Sequence, residues 1–389
     1  MWTQKIVRSI SEIPAPVWNA LCDVQCNPFL SHAWLEALEV SGCVGAGTDW
    51  LPRHLTLWHG GELVAAAPAY LRQGSDGDFS RDWGMADAVM RAHIPYYPKI
   101  VVGIPFTPVT GPRFLVRPGE SAGACIEALL EAAVALAHDE GSTVLQILYC
   151  RDEEARQAQA AGWTRRIDFQ YHWRNDGYRD MEQFLARFDS KRRNQLRREM
   201  RAPAEQGISL RTVRGEEIAR DPQAWARLVH TLHRSTTKKL MWGRSWLNQA
   251  FYERVFTRLP GPMEVVEARR HGDVIAGAFN VATPTHLYGR YWGALEEHRY
   301  LHFNVCFYHS IQQCIDRGVQ IFEGGAGGEH KIPRGFEPTE TYSAHAFLDP
   351  RLAAPLRAHI EEEALARQRA LADWQARSPI LKRSADATR

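Results

Sequence analysis

No stretch of the 389-residue chain approaches the ~18 consecutive apolar residues of a membrane-spanning helix. The N-terminus, MWTQKIVRSISEIPAPVW, has no apolar core of the kind a secretory signal needs, so a cytoplasmic location is expected. Cysteine is sparse and unpaired in pattern. Cys22, Cys26, Cys43, Cys125, Cys150, Cys306 and Cys314 are odd in number and form no C-x-x-C, which predicts scattered, reduced, mostly buried thiols rather than a disulfide frame. The 16 histidines form no H-E-x-x-H, and Glu329-His330 lacks spaced partners, so no metal site is expected. A formal charge of +2 gives no global excess for binding DNA. The glycine-rich stretch GGAGGEHK (324–331) lacks G-K-[ST], and Pro333 and the glycines at 327, 328 and 335 oppose the helix that a phosphate loop must enter. Dinucleotide and P-loop readings are therefore excluded.

What is present is an ordinary globular composition, 45% hydrophobic and 24% charged, at a length that suggests two domains. The chain also repeats its order of elements. RHLTLWHGGELVAAAPAYLR (53–72) and EVVEARRHGDVIAGAFNVAT (264–283) both read as strand, glycine turn, strand. IEALLEAAVALAHDEGSTVLQILYC (126–150) and CFYHSIQQCIDRGVQIFEGG (306–325) both read as helix, glycine, buried strand, with Gly141 and Gly318 just past the helix ends. AAGWTRRIDFQYHW (160–173) and IPRGFEPTETYSAHAF (332–347) both carry a glycine-aromatic step before strand-like runs. Each half thus predicts a twisted, mostly antiparallel sheet with helices on its faces. The boundary is placed near Asn175-Asp176-Gly177, giving halves 1–178 and 179–377. Residues 351–376 form a last helix candidate, with Leu352, Leu356, Ile360, Leu365 and Leu371 among charges, and 378–389 read as a disordered polar tail.

These elements resemble a duplicated GNAT fold, as in FemAB-type peptidyltransferases. The closest likeness is to a family of N-acyltransferases described as peptidoglycan biosynthesis or recognition proteins. NPFLSHAWLEALE (27–39), YYPKIVVGIPFTPVTGPRFLV (96–116), FDSKRRNQLRREM (188–200) and EGGAGGEHKIPRGFEPTETYSAHAF (323–347) carry the likeness. The resemblance implies an α/β fold of two tandem GNAT-like half-domains, each a twisted mixed sheet flanked by helices. It also implies transfer of an acyl or aminoacyl group to an amine, with the active site in the C-terminal half. The co-substrate would be acyl-CoA or aminoacyl-tRNA, with no permanently bound cofactor. The acceptor would be a small-molecule or cell-wall-precursor amine.

Acyl transfer to an amine needs a base, donors for the oxyanion, and a proton for the leaving group. Glu329 and His330 are candidate bases, directly or through water. Glu323, at the end of an apolar strand, is a candidate base or a seat for a substrate ammonium, and His345 is a further candidate at the far end of the paired strand. Lys331 and Arg334 suit a carboxylate or phosphate. The glycine run, Gly325 included, marks a strand end where backbone must approach something closely.

In LYGRYWGALEEHRYLHFNVCFYHS (287–310), Tyr288, Arg290 and Trp292 alternate on one expected strand face, and Tyr291 points to the other. His302 and Asn304 precede a helix expected to begin near Val305. In a GNAT-like half this strand would wall the donor cleft. Ordinary aromatic packing is the competing reading there, as it is for Trp242 and Trp246. Among the basic residues between 191 and 201, Arg193, Arg197 and Arg201 lie one turn apart on one helix face. With Lys191 they could hold phosphates, or form a solvated face paired with Glu199 and Glu205.

The glycine loop with which GNAT enzymes hold pyrophosphate is missing from both halves: EEHRYLHFNVC and TPVTGPRFLVRPGESAGAC stand in its place. That leaves side chains such as Arg299 and His302 for a pyrophosphate, or a different activated donor. The alternative to an enzyme is a binding module for a cell-wall precursor, a nucleotide-linked ligand or a tRNA end.

Overall fold

The structure, a computed structural model, describes residues 2–22, 26–237 and 245–377. The tail 378–389 and Trp242 therefore lie outside the described residues. The chain divides into two compact units. The first comprises Met1–Phe169, Trp246–Arg258 and Glu340–Gln368, and the second Gln170–Ser245, Leu259–Thr339 and Arg369–Arg389.

The first unit holds β1 (Thr3–Val7), β2 (Trp50–Pro52), β3 (His54–His59), β4 (Glu62–Ala67), β5 (Ala69–Arg72), β6 (Lys99–Val102), β7 (Leu115–Val116) and β8 (Val144–Cys150). The predicted hairpin is β3–β4, turning at Gly60-Gly61, and it joins β1 and β7 in an antiparallel sheet of order β1-β3-β4-β7. β6 and β8 run parallel, joined through the helix Ala122–Asp139. That helix buries Cys125, Leu129, Leu130, Ala133, Leu136 and Ala137 against a core that includes Leu55, Leu57, Ile100 and Ile147. The three-to-four-residue spacing of these apolar positions is what made it legible.

In the second unit β9 (Thr164–Arg174, from Gln170 onward), β10 (Ile208–Arg214), β11 (Met263–Arg270), β12 (Asp273–Ala282), β13 (His286–Ala294) and β14 (Ile321–Glu323) follow the order β10-β11-β12-β13-β14-β9. All neighbours are antiparallel except β13 and β14, which run parallel. The parallel pair and its connecting helix repeat the β6–helix–β8 arrangement, so the duplicated order of elements is a duplicated topology. The last strand, β15 (Glu337–Phe347), pairs antiparallel with β8 through Tyr342–Phe347.

One expectation changes. A single boundary near 178 is replaced by a division between Phe169 and Gln170, with 246–258 and 340–368 grouping with the first unit. Sheets recruit strands by hydrogen bonding and not by chain order, and β15 reaches β8 that way. The expected last helix is present as Pro350–Arg377 and buries Leu352, Leu356 and Ile360 beside Met85, Val89 and Tyr96, with Leu365 55% exposed. The seven thiols are free and most of them are buried, as expected. Cys22 and Cys26, expected to be scattered, bring their sulfurs to 2.7 Å, and they are only partly buried.

The first unit also buries charge. Lys99, fully buried, contacts Asp78 at 2.8 Å, Asp82 at 2.7 Å, Ser75 Oγ at 2.8 Å and Gln146 Oε1 at 3.0 Å. Burial alone would raise the Asp82 carboxyl, but Lys99, together with Ser75 and Gln146, outweighs it and holds the group far below the usual carboxylate range.

Candidate functional site

The opening strand of the site is β13. Its pairing with β12 slips between Phe279 and Asn280: Phe279 faces Tyr291 and Asn280 faces Gly289, leaving Arg290 as the extra residue of a bulge. The expected strict alternation of Tyr288, Arg290 and Trp292 therefore fails, because the bulge re-aims the strand. Arg290, Tyr291 and Trp292 all border one cavity of about 240 Å³. The helix Pro222–Thr237 crosses β13 at Gly293, where an added Cβ would lie 1.8 Å from the Leu232 carbonyl oxygen. It supplies His233, whose ring sits 4.0 Å from that of Tyr291, and Thr236, whose Oγ1 donates to the Trp292 carbonyl at 2.7 Å.

The floor comes from β14 and the glycines after it. Phe322, Gly324 and Gly325 line the cavity. Glycine is needed at 324, where a Cβ would meet the Phe336 ring at 2.8 Å, and at 325, where φ is +82°. The close backbone approach read from the sequence is thus an approach to this cavity and to Phe336.

β14 ends at the glycine run as expected, but the segment Glu329–Arg334 is a short 3₁₀ helix although Pro333 and the glycines at 327, 328 and 335 were expected to oppose one. Its i→i+3 bonds run from Lys331 N to Gly328 O (3.1 Å) and from Gly335 N to Ile332 O (3.0 Å). Pro333 removes only one donor from so short a helix, and Gly328 and Gly335, at φ +90° and +94°, supply the left-handed caps. Lys331 is buried, and its Nζ donates to the carbonyls of Gly325 (2.7 Å) and Gly327 (2.5 Å). His330 and Lys331 reach the cavity wall, while Glu329 is exposed outside it.

The helix after β13 begins at Leu301 rather than near Val305, and it carries a π-turn over Asn304–Tyr308 before His309–Arg317. His302 packs against Trp292 (ring centroids 4.7 Å) and faces His330 at 6.0 Å. Cys306 and Phe307 complete this wall. Burial pushes His302 down to about 4, aided by His330, Arg334 and Lys331. Burial, Lys331 and Arg334 also lower His330. Both imidazoles are therefore neutral near pH 7, the form that can accept a proton.

The other candidates are placed apart from the cavity. Glu323 is buried, with His172 on the neighbouring strand at 3.9 Å, and burial holds that imidazole down to about 3. Asn304 donates to the carbonyls of Glu199 (2.8 Å) and Tyr300 (2.9 Å). Arg334 is buried, donating to Glu199 Oε2 at 2.9 Å and to the His330 carbonyl at 2.7 Å, with its guanidinium 3.3 Å from the Phe303 ring. His345 lies in the first unit, fully buried, with Nε2 3.0 Å from Ser343 Oγ. Trp246, also there, stacks on Phe106 at 5.8 Å.

On the basic helix Ser190–Glu205, Lys191 is exposed, Arg193 half-buried, and Arg197 ion-paired with Glu182. Glu199 does not pair with this helix's own arginines. It is 1% exposed and accepts hydrogen bonds from Arg334, Tyr308 and Gln195.

Tyr291, Trp292, His302, Gly325, His330 and Lys331 are thus brought together from four separate segments. Sequence reasoning missed Asn280, Phe307, Glu199 and Tyr308. Asn280 left a signal, one polar residue in the apolar run AGAFNVA. Glu199 left none, since it stands among arginines that it does not bind.

Among the described residues no helix is long and apolar enough to cross a membrane. No curated protein matches the chain. Similar solved structures include FemX, with 13% identity over 89% of this chain and 98% of that one at a TM-score of 0.53. The C-terminal domain of an Agrobacterium fabrum protein described as a lysylphosphatidylglycerol synthetase gives 11% identity over 93% and 98% at a TM-score of 0.53. A tandem GNAT protein from the clavulanic acid biosynthesis pathway gives 15% over 90% and 99% at a TM-score of 0.46. The fold is that of two tandem GNAT-like halves. With the family profile matching residues 9–382, the chain belongs to the FemAB-like family, described as peptidoglycan biosynthesis/recognition.

Proposed function

We propose that the protein is an N-acyltransferase that moves an activated acyl group onto an amine acceptor. The observation that carries this reading is the cavity beside the parallel strands β13 and β14, with the neutral imidazoles of His302 and His330 on its wall. In the reaction the acceptor nitrogen attacks the acyl carbonyl carbon, and a C–N bond forms. His330, the exposed imidazole of the two, takes the proton from that nitrogen. The bond from the acyl carbon to its leaving group breaks, and the leaving group departs with the proton that His330 returns. The sum is an acyl donor plus an amine giving an amide plus the protonated leaving group. Trp292 and Phe307 exclude water from the acyl carbon, which protects the activated donor from hydrolysis. The acceptor class consistent with the family is an amine of a cell-wall precursor, and the donor is acyl-CoA or an aminoacyl-tRNA.

The test is turnover of a panel of acyl thioesters and aminoacyl-tRNAs with lysine and lysine-containing cell-wall peptides as acceptors. His330→Gln is expected to lower kcat by about 10²-fold or more with the fold intact, the usual contribution of a positioned base. Undiminished turnover in a folded His330→Gln protein rejects this site.

A further inference from the structure

Resting on that reading of the cavity, the chemistry of its lining bears on which acyl group it takes. The wall is aromatic and cationic. Tyr291, Trp292, Phe307 and Phe322 supply rings, and the cations are Lys331, held on two glycine carbonyls, and Arg290, whose guanidinium carbon lies 5.4 Å from the Tyr291 ring. None of the described residues lining the cavity is acidic. Glu323 stands between two lining residues in sequence, but alternation along β14 turns it to the face opposite Phe322, where it meets His172 at 3.9 Å.

An ammonium brought into such a space loses water, gains no carboxylate, and faces two like charges. His302 and His330 resist taking up a proton there, through burial first and then through Lys331 and Arg334. A neutral acyl group meets none of these penalties, an anionic one meets cations rather than like charges, and the apolar part of either lies against Trp292, Phe307 and Phe322 together with Ala278 and Cys306. The volume, about 240 Å³, exceeds the ~150 Å³ of a cavity that holds benzene, leaving room for a ring and a short chain.

We propose that the cavity seats an aryl or alkyl acyl group without an α-ammonium, so that the donor is a simple acyl thioester or acyl ester rather than an aminoacyl ester.

The test compares three probes sharing one skeleton: 3-phenylpropanamide, 3-phenylpropanoate and L-phenylalaninamide. Binding to the full chain is measured by calorimetry at mildly acidic pH, where the last is an ammonium. The first two are expected to bind about tenfold or more tighter than the third, the equivalent of about 1.4 kcal/mol. Binding of both is expected to be lost in Ala326→Trp, which narrows the mouth at an exposed position and leaves the core untouched. Equal or tighter binding of L-phenylalaninamide overturns the proposal. If that result comes with His330-dependent transfer of aminoacyl groups, the acyltransferase reading stands and only the donor class falls. If no probe binds, or all bind equally well to Ala326→Trp, the cavity is not the acyl seat and both readings fall.

Discussion

The Arg334 guanidinium donates to the Glu199 carboxylate at 2.9 Å, across 135 residues of sequence and with both side chains buried. The same arginine donates to the His330 carbonyl at 2.7 Å, and Arg192 of the basic helix donates from Nε to the Pro333 carbonyl at 2.7 Å. The 3₁₀ helix that carries His330 is thus fastened at its end to the basic helix and at Lys331 to the glycine run. Two segments that stand out in the sequence as separate charged features are one mechanical unit.

Glu199→Ala is therefore expected to destabilise the protein by about 3–5 kcal/mol, because it leaves a buried guanidinium without its carboxylate. Glu199→Met combined with Arg334→Met should cost much less, since neither charge is then left unmatched. Urea unfolding of the single and double variants checks this. Additive losses would show that the two side chains are not coupled.

Acid adds a second expectation. Burial alone would raise the Glu199 carboxyl, but the Tyr308 hydroxyl and Arg334 outweigh it and hold the group below its ordinary value. Its contribution to stability is then complete above the unfolded value of ~4.3 and disappears as pH falls through the lower folded value. His345 acts at higher pH. Burial holds its imidazole down to about 3. Above ~6.5 neither state binds the proton. Below that the unfolded chain does and the native protein does not, so stability falls by about 1.4 kcal/mol per pH unit until the folded value is reached. His345→Gln should lessen the fall between pH 6.5 and 4 by its own share, leaving that of His172 and His302, as followed by urea unfolding at several pH values. An unchanged slope would mean that His345 is protonated in the native state.

Gly293→Ala is expected to cost about 3 kcal/mol, the upper end for overpacking, because the atom it meets is the backbone carbonyl of Leu232 rather than a movable side chain. Gly261→Ala, with nothing within 4 Å of the added carbon, is the control. Thermal melts of the two should differ clearly, and equal melting temperatures would contradict the close crossing of the helix Pro222–Thr237 over β13.

The exposed ion pair between Arg197 and Glu182 should matter little to folding. Arg193→Ala with Arg197→Ala is expected to unfold close to the parent protein, because solvent screens an exposed pair. If this face holds the phosphates of a donor, the same variant weakens donor binding, and the parent's affinity falls with added salt. A flat salt response in the parent removes the phosphate role from this helix.

The hairpins at Gly60-Gly61 and at His271-Gly272 were readable because strand alternation and turn glycines are local signals. So were the helix–glycine–strand units, whose periodicity is fixed by the helix itself. The site was readable only in pieces. Trp292, His302 and the segment 324–331 each stood out, yet no local pattern shows that they border one space. The bulge at Arg290 was invisible, because a one-residue slip in pairing depends on the partner strand. Glu199 illustrates the same limit: its neighbours in sequence are arginines, and its partner lies 135 residues away.

Sequence alone determined the hairpins and helix–glycine–strand units, the duplicated order, and the family likeness, since these rest on short-range stereochemistry and hydrophobic period. Tertiary structure alone decided which charges are spent on structure and which face the cavity. Arg334 and Glu199 are buried against each other, Lys331 is held by carbonyls, and His302 and His330 are left neutral beside aromatic rings. Those outcomes depend on burial and on long-range contacts, which change the cost of a charge and are set only when the chain has folded.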